Sequence, residues 1–215
     1  MDRPKATGFA AGRSHVKRLG SLLALILACA GCAGAQPPPM RDGDLIFHTS
    51  RSTQSLAIQR ATGSRYSHMG VVLYRDGKPW VYEAVGPTVY TPLNRWIARG
   101  EGGHYVLKRL RAPLSTAQQR KLRAQADSFG GLDYDSSFEW SDKKMYCSEV
   151  VWKLYDRSLG IKIGRLQRLR DFKLDDPVVK AKLRERYGKT VPLDEPVISP
   201  AAMFESPLLV TVASR

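Results

Sequence analysis

The chain has 215 residues, a formal net charge of +14, 43% hydrophobic and 25% charged residues. At roughly 150 residues per domain this is room for one domain, and the composition excludes disorder, a collagen-like fibre and a multi-span membrane protein. The charge is divided, with +4 in residues 1–32 and +10 spread over short stretches that also carry acids. A phosphate-binding protein gathers its charge on one element, so nucleic acid is not an expected partner and anionic lipid or cell-wall polymer suits better.

Arg13, Lys17 and Arg18 precede an uncharged run from Leu19 to Ala30. A basic segment followed by about a dozen apolar residues has the size of a secretory signal and is short for a membrane span. Ala30-Gly31-Cys32-Ala33-Gly34 follows and resembles a bacterial lipobox, with Cys32 as the lipidated residue and Cys29 where leucine is usual. Cys29 is a second candidate, and plain cleavage that discards both cysteines is a third reading. A redox or zinc pair at Cys29 and Cys32 is disfavoured, because no second ligand pair follows at zinc spacing. Residues 33–42 contain Gln36-Pro37-Pro38-Pro39, a stiff tether. The expectation is an exported lipoprotein facing the periplasm, at the outer membrane in a Gram-negative cell because Ala33 replaces a retention-type Asp. The folded domain is then residues 43–210.

Within that domain Asp44 to Thr49 reads as a strand and Ser55 to Ala61 as a short helix stopped by Gly63. Met69 to Tyr74 and Trp80 to Val85 read as partner strands joined through Asp76-Gly77, a hairpin signal. Strand-like runs at Thr88–Leu93 and His104–Leu110 flank a helical turn at Leu93–Ala98 and the glycine-rich loop Gly100–Gly103, either a mobile rim or only a turn. Ser115 caps a helix to about Ser128, a second helix starts near Cys147 and stops at Gly160, and Asp175 or Asp176 caps a third to Tyr187. The proline-rich end is expected to wrap the surface. Strands first and helices after indicate an α+β fold.

If processing occurs at Cys32, Cys147 is the one cysteine left in the folded domain. Exported proteins pair their cysteines or lack them, so a single thiol is either a small buried hydrophobe or kept for chemistry. Val150, Val151, Leu154 and Tyr155 recur at helical spacing after it, which puts Cys147 in or just before the first turn. There the helix dipole favours thiolate, and unpaired N–H groups can donate to an oxyanion.

A nucleophilic cysteine needs a base held by a third polar group. After the signal region the histidines are His48, His68 and His104. His68 opens an apolar strand, and its alternative reading is a satisfied core histidine. His48 and His104 read as structural or exposed. No His-x₃-His or His/Asp cluster points to a metal or cofactor. Glu83 lies in a β-rich run, where a carboxylate is either solvent-facing or paired. With Arg75–Lys78 as the loop, Tyr74 faces Pro79 and Glu83 falls opposite Gly70, on the same face as His68.

Gly43-Asp44-Leu45-Ile46-Phe47, Ser67-His68-Met69-Gly70, Tyr82-Glu83-Ala84 and Tyr146-Cys147-Ser148-Glu149 resemble the YaeF/YiiX family of permuted papain-like enzymes, related to the NlpC/P60 cysteine hydrolases. The resemblance runs from about Gly43 to Leu209, including Leu166-Gln167 and the tail from Pro192 to Pro200. It implies a circularly permuted papain-like domain, an antiparallel sheet packed on helices, with the histidine strand before the cysteine helix. It also implies Cys147 as nucleophile, His68 as general base and Glu83 as the residue that orients His68. Tyr146 stands where ordinary NlpC/P60 proteins have Asp, so their cell-wall peptide specificity does not transfer.

The expected chemistry is hydrolysis of an amide or ester through a Cys147 thioester, with the Cys147 N–H as one oxyanion donor. Asp44 and Tyr66 are candidate substrate contacts. The alternatives are a lipid-directed acyltransferase or amidase, with Trp80, Trp96, Trp140 and Trp152 available for an apolar groove, and a non-catalytic envelope module that binds peptide or glycan.

Overall fold

A computed structural model describes residues 39–215. The expected signal segment, Cys29, Cys32 and most of the proline tether lie outside the described residues.

Strand β1 (Asp44–His48) leads through α1 (Ser55–Thr62) to β2 (His68–Arg75), β3 (Lys78–Ala84) and β4 (Thr88–Pro92). Gly63 at φ 68° ends α1, as its sequence position predicts. The β2–β3 turn is Asp76-Gly77 with both residues at positive φ, a geometry that matches the twist of paired strands. Its register pairs Tyr74 with Pro79 and Val71 with Tyr82, the pairing that the sequence predicts.

After β4 come α2 (Leu93–Arg99), β5 (Val106–Leu110) and α3 (Thr116–Ser128), then the short strands β6 (Asp133–Tyr134) and β7 (Lys144–Met145). Ser115 and Gln118 form a reciprocal capping box on α3. Helix α4 (Cys147–Leu159) is followed by β8 (Gln167–Arg168), α5 (Pro177–Tyr187), β9 (Pro196–Val197), α6 (Pro200–Phe204) and β10 (Leu209–Ser214).

The main sheet is antiparallel, in the order β10-β5-β1-β2-β3-β4. On one face Leu45, Phe47, Met69, Val71 and Tyr82 pack with Leu122 of α3 and Val150, Val151 and Leu154 of α4. On the other, Ile46, Val72 and Val81 meet Trp96 and Leu107. The last segment does more than wrap the surface: β10 pairs with β5 as an edge strand, and α6 buries Met203. Ser199 caps α6 and Pro200 starts it, while Leu209-Val210-Thr211-Val212 has the branched side chains that suit a strand.

Candidate active site

Cys147 is the first residue of α4, so its N–H belongs to the turn that has no intrahelical acceptors. Its environment is fixed from two sides. The β6–β7 pair aligns Tyr134 with Met145, two residues before Cys147. The tail clamps the other flank: Tyr146 Oη accepts from the Ile198 N–H at 3.0 Å, and Ser148 Oγ donates to the Ile198 carbonyl at 2.8 Å.

His68 begins β2, opposite His48. Its Nε2 lies 2.6 Å from Glu83 Oε2. The second Glu83 oxygen accepts from Thr91 Oγ1 at 2.5 Å and from the Arg99 guanidinium at the end of α2. Burial by itself would raise the Glu83 pKa, but the bond to His68 and the charges of His68 and Arg99 hold the carboxyl below its ordinary value. Burial likewise opposes a charged His68, yet hydrogen bonding to Cys147 and Glu83 outweighs it and raises the imidazole to about 9. With Nε2 on Glu83, Nδ1 is left for the thiol. Cys147, His68 and Glu83 are therefore brought together in one buried chain.

Three neighbours carried no recognisable signal in the sequence. Arg99 and Thr91 hold the carboxylate from elements whose packing on β3 is purely tertiary. Tyr134 Oη accepts from Gln54 Nε2 at 2.6 Å, which leaves its own proton free to donate. Burial raises the Tyr134 pKa, and negative charge on Cys147 raises it further; the side chain lines the cleft next to His68.

His48 is buried beside the site, stacked on Trp96 with ring centroids 3.9 Å apart and 5.3 Å from the His68 ring. Burial first, and then the charge of His68, lower its pKa to about 3, so it stays neutral. Its structural reading agrees with this packing, and His104 is exposed.

Asp44 does not join the site. It sits at the opposite end of β1 from His48, with Arg109 forked onto both carboxylate oxygens at 2.6 and 2.8 Å and the Arg41 N–H at 2.8 Å. These bonds occupy the group as a structural ion pair. Tyr66 is half-buried and stacks on Phe204 at 4.1 Å, a packing contact. The Gly100–Gly103 loop is a short 3-10 turn whose first residue bridges Ser50.

Comparison with known proteins places this geometry in context. Residues 39–213 match the model of the permuted papain-like amidase enzymes of the YaeF/YiiX, C92 family. A protein of Escherichia coli K12 called YiiX, described as uncharacterized, is 54% identical over 173 residues, covering 80% of this chain and 86% of that protein. A crystal structure described as metalloprotein yiiX from Escherichia coli O157:H7 is also 54% identical, with a TM-score of 0.80, covering 81% of this chain and 97% of that one.

A metal is named for that relative, and the residues here do not fit one at this site. Among the described residues no three His, Cys, Asp or Glu side chains converge as ligands. Both Glu83 oxygens are already engaged, one of them by a guanidinium that would repel a cation. The fold, the match over nearly all the described residues and the likeness to YiiX agree: the chain belongs to the YaeF/YiiX (C92) family of permuted papain-like amidases.

Proposed function

We propose that this protein is a cell-envelope cysteine amidase that works through a thioester on Cys147. The observation that carries the reading is the 2.6 Å bond between His68 and Glu83, with Cys147 opening helix α4 near enough to that imidazole to favour its charged form. His68 takes the proton of the Cys147 thiol, and the sulfur attacks the substrate carbonyl carbon. The carbonyl oxygen, now negative, is held by the Cys147 N–H and the Tyr134 hydroxyl. His68 then gives its proton to the departing amine as the C–N bond breaks. Water, deprotonated by the same imidazole, splits the thioester and returns the thiol. Glu83, held by Arg99 and Thr91, keeps the ring oriented and stabilises its charged form.

Export as a lipoprotein anchored through Cys32, with the proline tether spacing the domain from the membrane, is part of the same proposal and rests on the sequence of residues 1–42.

The test is the pH dependence of Cys147 alkylation by iodoacetamide in the wild-type protein and in His68→Ala. Activated thiols titrate at roughly 3.5–7.5 and ordinary ones near 8.5. A low apparent value that rises in the variant is expected. Titration near the ordinary value in both proteins would overturn the nucleophile assignment.

A further inference from the structure

Arg186 lies in the last turn of α5, with its guanidinium 4.5 Å from the centre of the Phe138 ring. Phe138 belongs to the loop between β6 and β7 and packs edge-on against Tyr146, the residue before the nucleophile. The next residue of α5, Tyr187, donates its hydroxyl to the Ser137 carbonyl of the same loop. These contacts hold the end of α5 against the segment that follows Tyr134. From there the guanidinium donates to Gln54 Oε1, just ahead of α1, and Gln54 Nε2 donates to Tyr134 Oη at 2.6 Å.

The direction of this chain of bonds is dictated at its far end. A guanidinium carries only N–H donors and no acceptor, so the amide oxygen of Gln54 must face it. The amide NH₂ is then left for Tyr134, and an NH₂ group cannot accept a hydrogen bond. Tyr134 therefore accepts from Gln54 and has to spend its own proton elsewhere. The bond from Gln54 and the charge of Arg186 also both work against the rise that burial causes in the Tyr134 pKa. A phenol eased towards its anionic form in this way is a stronger donor.

We infer that Arg186 and Gln54 are positioning residues that set the polarity of the Tyr134 hydroxyl and commit its proton to the oxyanion. This rests on the proposed amidase reading, in which Tyr134 is an oxyanion donor, and adds the residues that aim it. Neither residue touches the reacting atoms; each acts through the next.

The experiment uses the full-length chain, with p-nitrophenyl acetate as substrate and iodoacetamide as the probe of Cys147. Gln54→Glu keeps the shape of the side chain, but both of its oxygens only accept. One still pairs with Arg186, and the other draws the Tyr134 proton away from the site. The expected loss in kcat is about 10²–10³, that of a missing oxyanion donor, with alkylation close to the wild-type rate. Gln54→Leu removes the contact yet leaves the Tyr134 proton available, so it costs about tenfold or less. A purely structural role predicts the reverse order, because leucine is the more disruptive change. Added to Tyr134→Phe, Gln54→Glu lowers kcat no further.

Equal kcat in Gln54→Glu and the wild type, or a larger loss in Gln54→Leu, would overturn the inference. So would a further fall in the double variant, which would assign the loss to the added charge. A readout that needs no substrate is the Cζ resonance of Tyr134 in protein carrying isotope-labelled tyrosine. It moves towards the phenolate value in Gln54→Glu, where the phenol donates to a carboxylate, and an unmoved resonance sinks the relay alone. Slow wild-type alkylation unaffected by His68→Ala sinks the amidase reading, and the oxyanion role of Tyr134 with it.

Discussion

Gly70 and Glu83 face each other across β2 and β3, and the absence of a side chain on one makes room for the other. A Cβ on Gly70 would stand 3.3 Å from the Glu83 Cβ, 2.8 Å from the Tyr82 carbonyl oxygen and in collision with Val81. Gly70→Ala is therefore an overpacking change at the base of the His68–Glu83 bond, worth about 1–3 kcal/mol. The expected outcome is a lower Tm together with slower Cys147 alkylation. Unchanged alkylation in a destabilised protein would separate packing from catalysis.

Glu83→Gln keeps the shape of the side chain and removes the charge that helps hold the His68 proton. His68 is raised from 6.5 to about 9 in the fold. Its contribution to stability is accordingly complete below about 6.5 and is lost as pH rises through about 9. The same proton is the one delivered to the leaving group, so activity falls over that alkaline range. In the variant the alkaline limb moves to lower pH. An NMR titration of the His68 ring, beside the pH profile of kcat, checks the shift.

His48 works in the opposite direction. Its pKa falls from 6.5 to about 3 in the fold, so the unfolded chain binds a proton that the folded one refuses. Stability is lost as pH falls from about 6.5 towards 3, by an amount on the order of a few kcal/mol. His48→Phe, which preserves the stack on Trp96, flattens the acid side of a Tm-against-pH curve.

Tyr134→Phe removes an oxyanion donor and leaves the thiol and its base in place. Loss of one such donor costs about 10²–10³ in kcat. Alkylation of Cys147, which forms no oxyanion, continues at close to the wild-type rate. A proportional fall in both rates would assign Tyr134 to packing.

The clamp on Ile198 is tested by Tyr146→Phe. The buried Ile198 N–H loses its acceptor, a loss of about 1–3 kcal/mol. Chemical denaturation is expected to show that decrease, with hydrogen exchange at Ile198 accelerating more than exchange in β2.

Legibility in the sequence followed the range of the interaction. The β2–β3 register was readable because Asp76-Gly77 fixes the turn and strand pairing then advances by whole residues, so Glu83 opposite Gly70 could be counted. The start of α4 was readable from its apolar spacing and Gly160. Tyr134, Thr91 and Arg99 could not be found that way. They reach the site through β6–β7 pairing, β3–β4 pairing and the packing of α2, and nothing in their neighbouring residues encodes those partners. Asp44 misled for the same reason: a carboxylate beside the site motif looks functional until Arg109, 65 positions away, is seen to occupy it.

The sequence by itself determined the elements and the chemistry-bearing side chains: a hairpin carrying His68 and Glu83, and a helix opened by Cys147. Those follow from local backbone preferences and periodicity, which act over a few residues. Only the tertiary structure decided which oxygens and nitrogens meet, that Arg99 and Thr91 hold Glu83, and that the tail returns to clamp Ile198 against α4. Those depend on side chains distant in sequence being buried together, where each polar group must find a partner and each space must be filled.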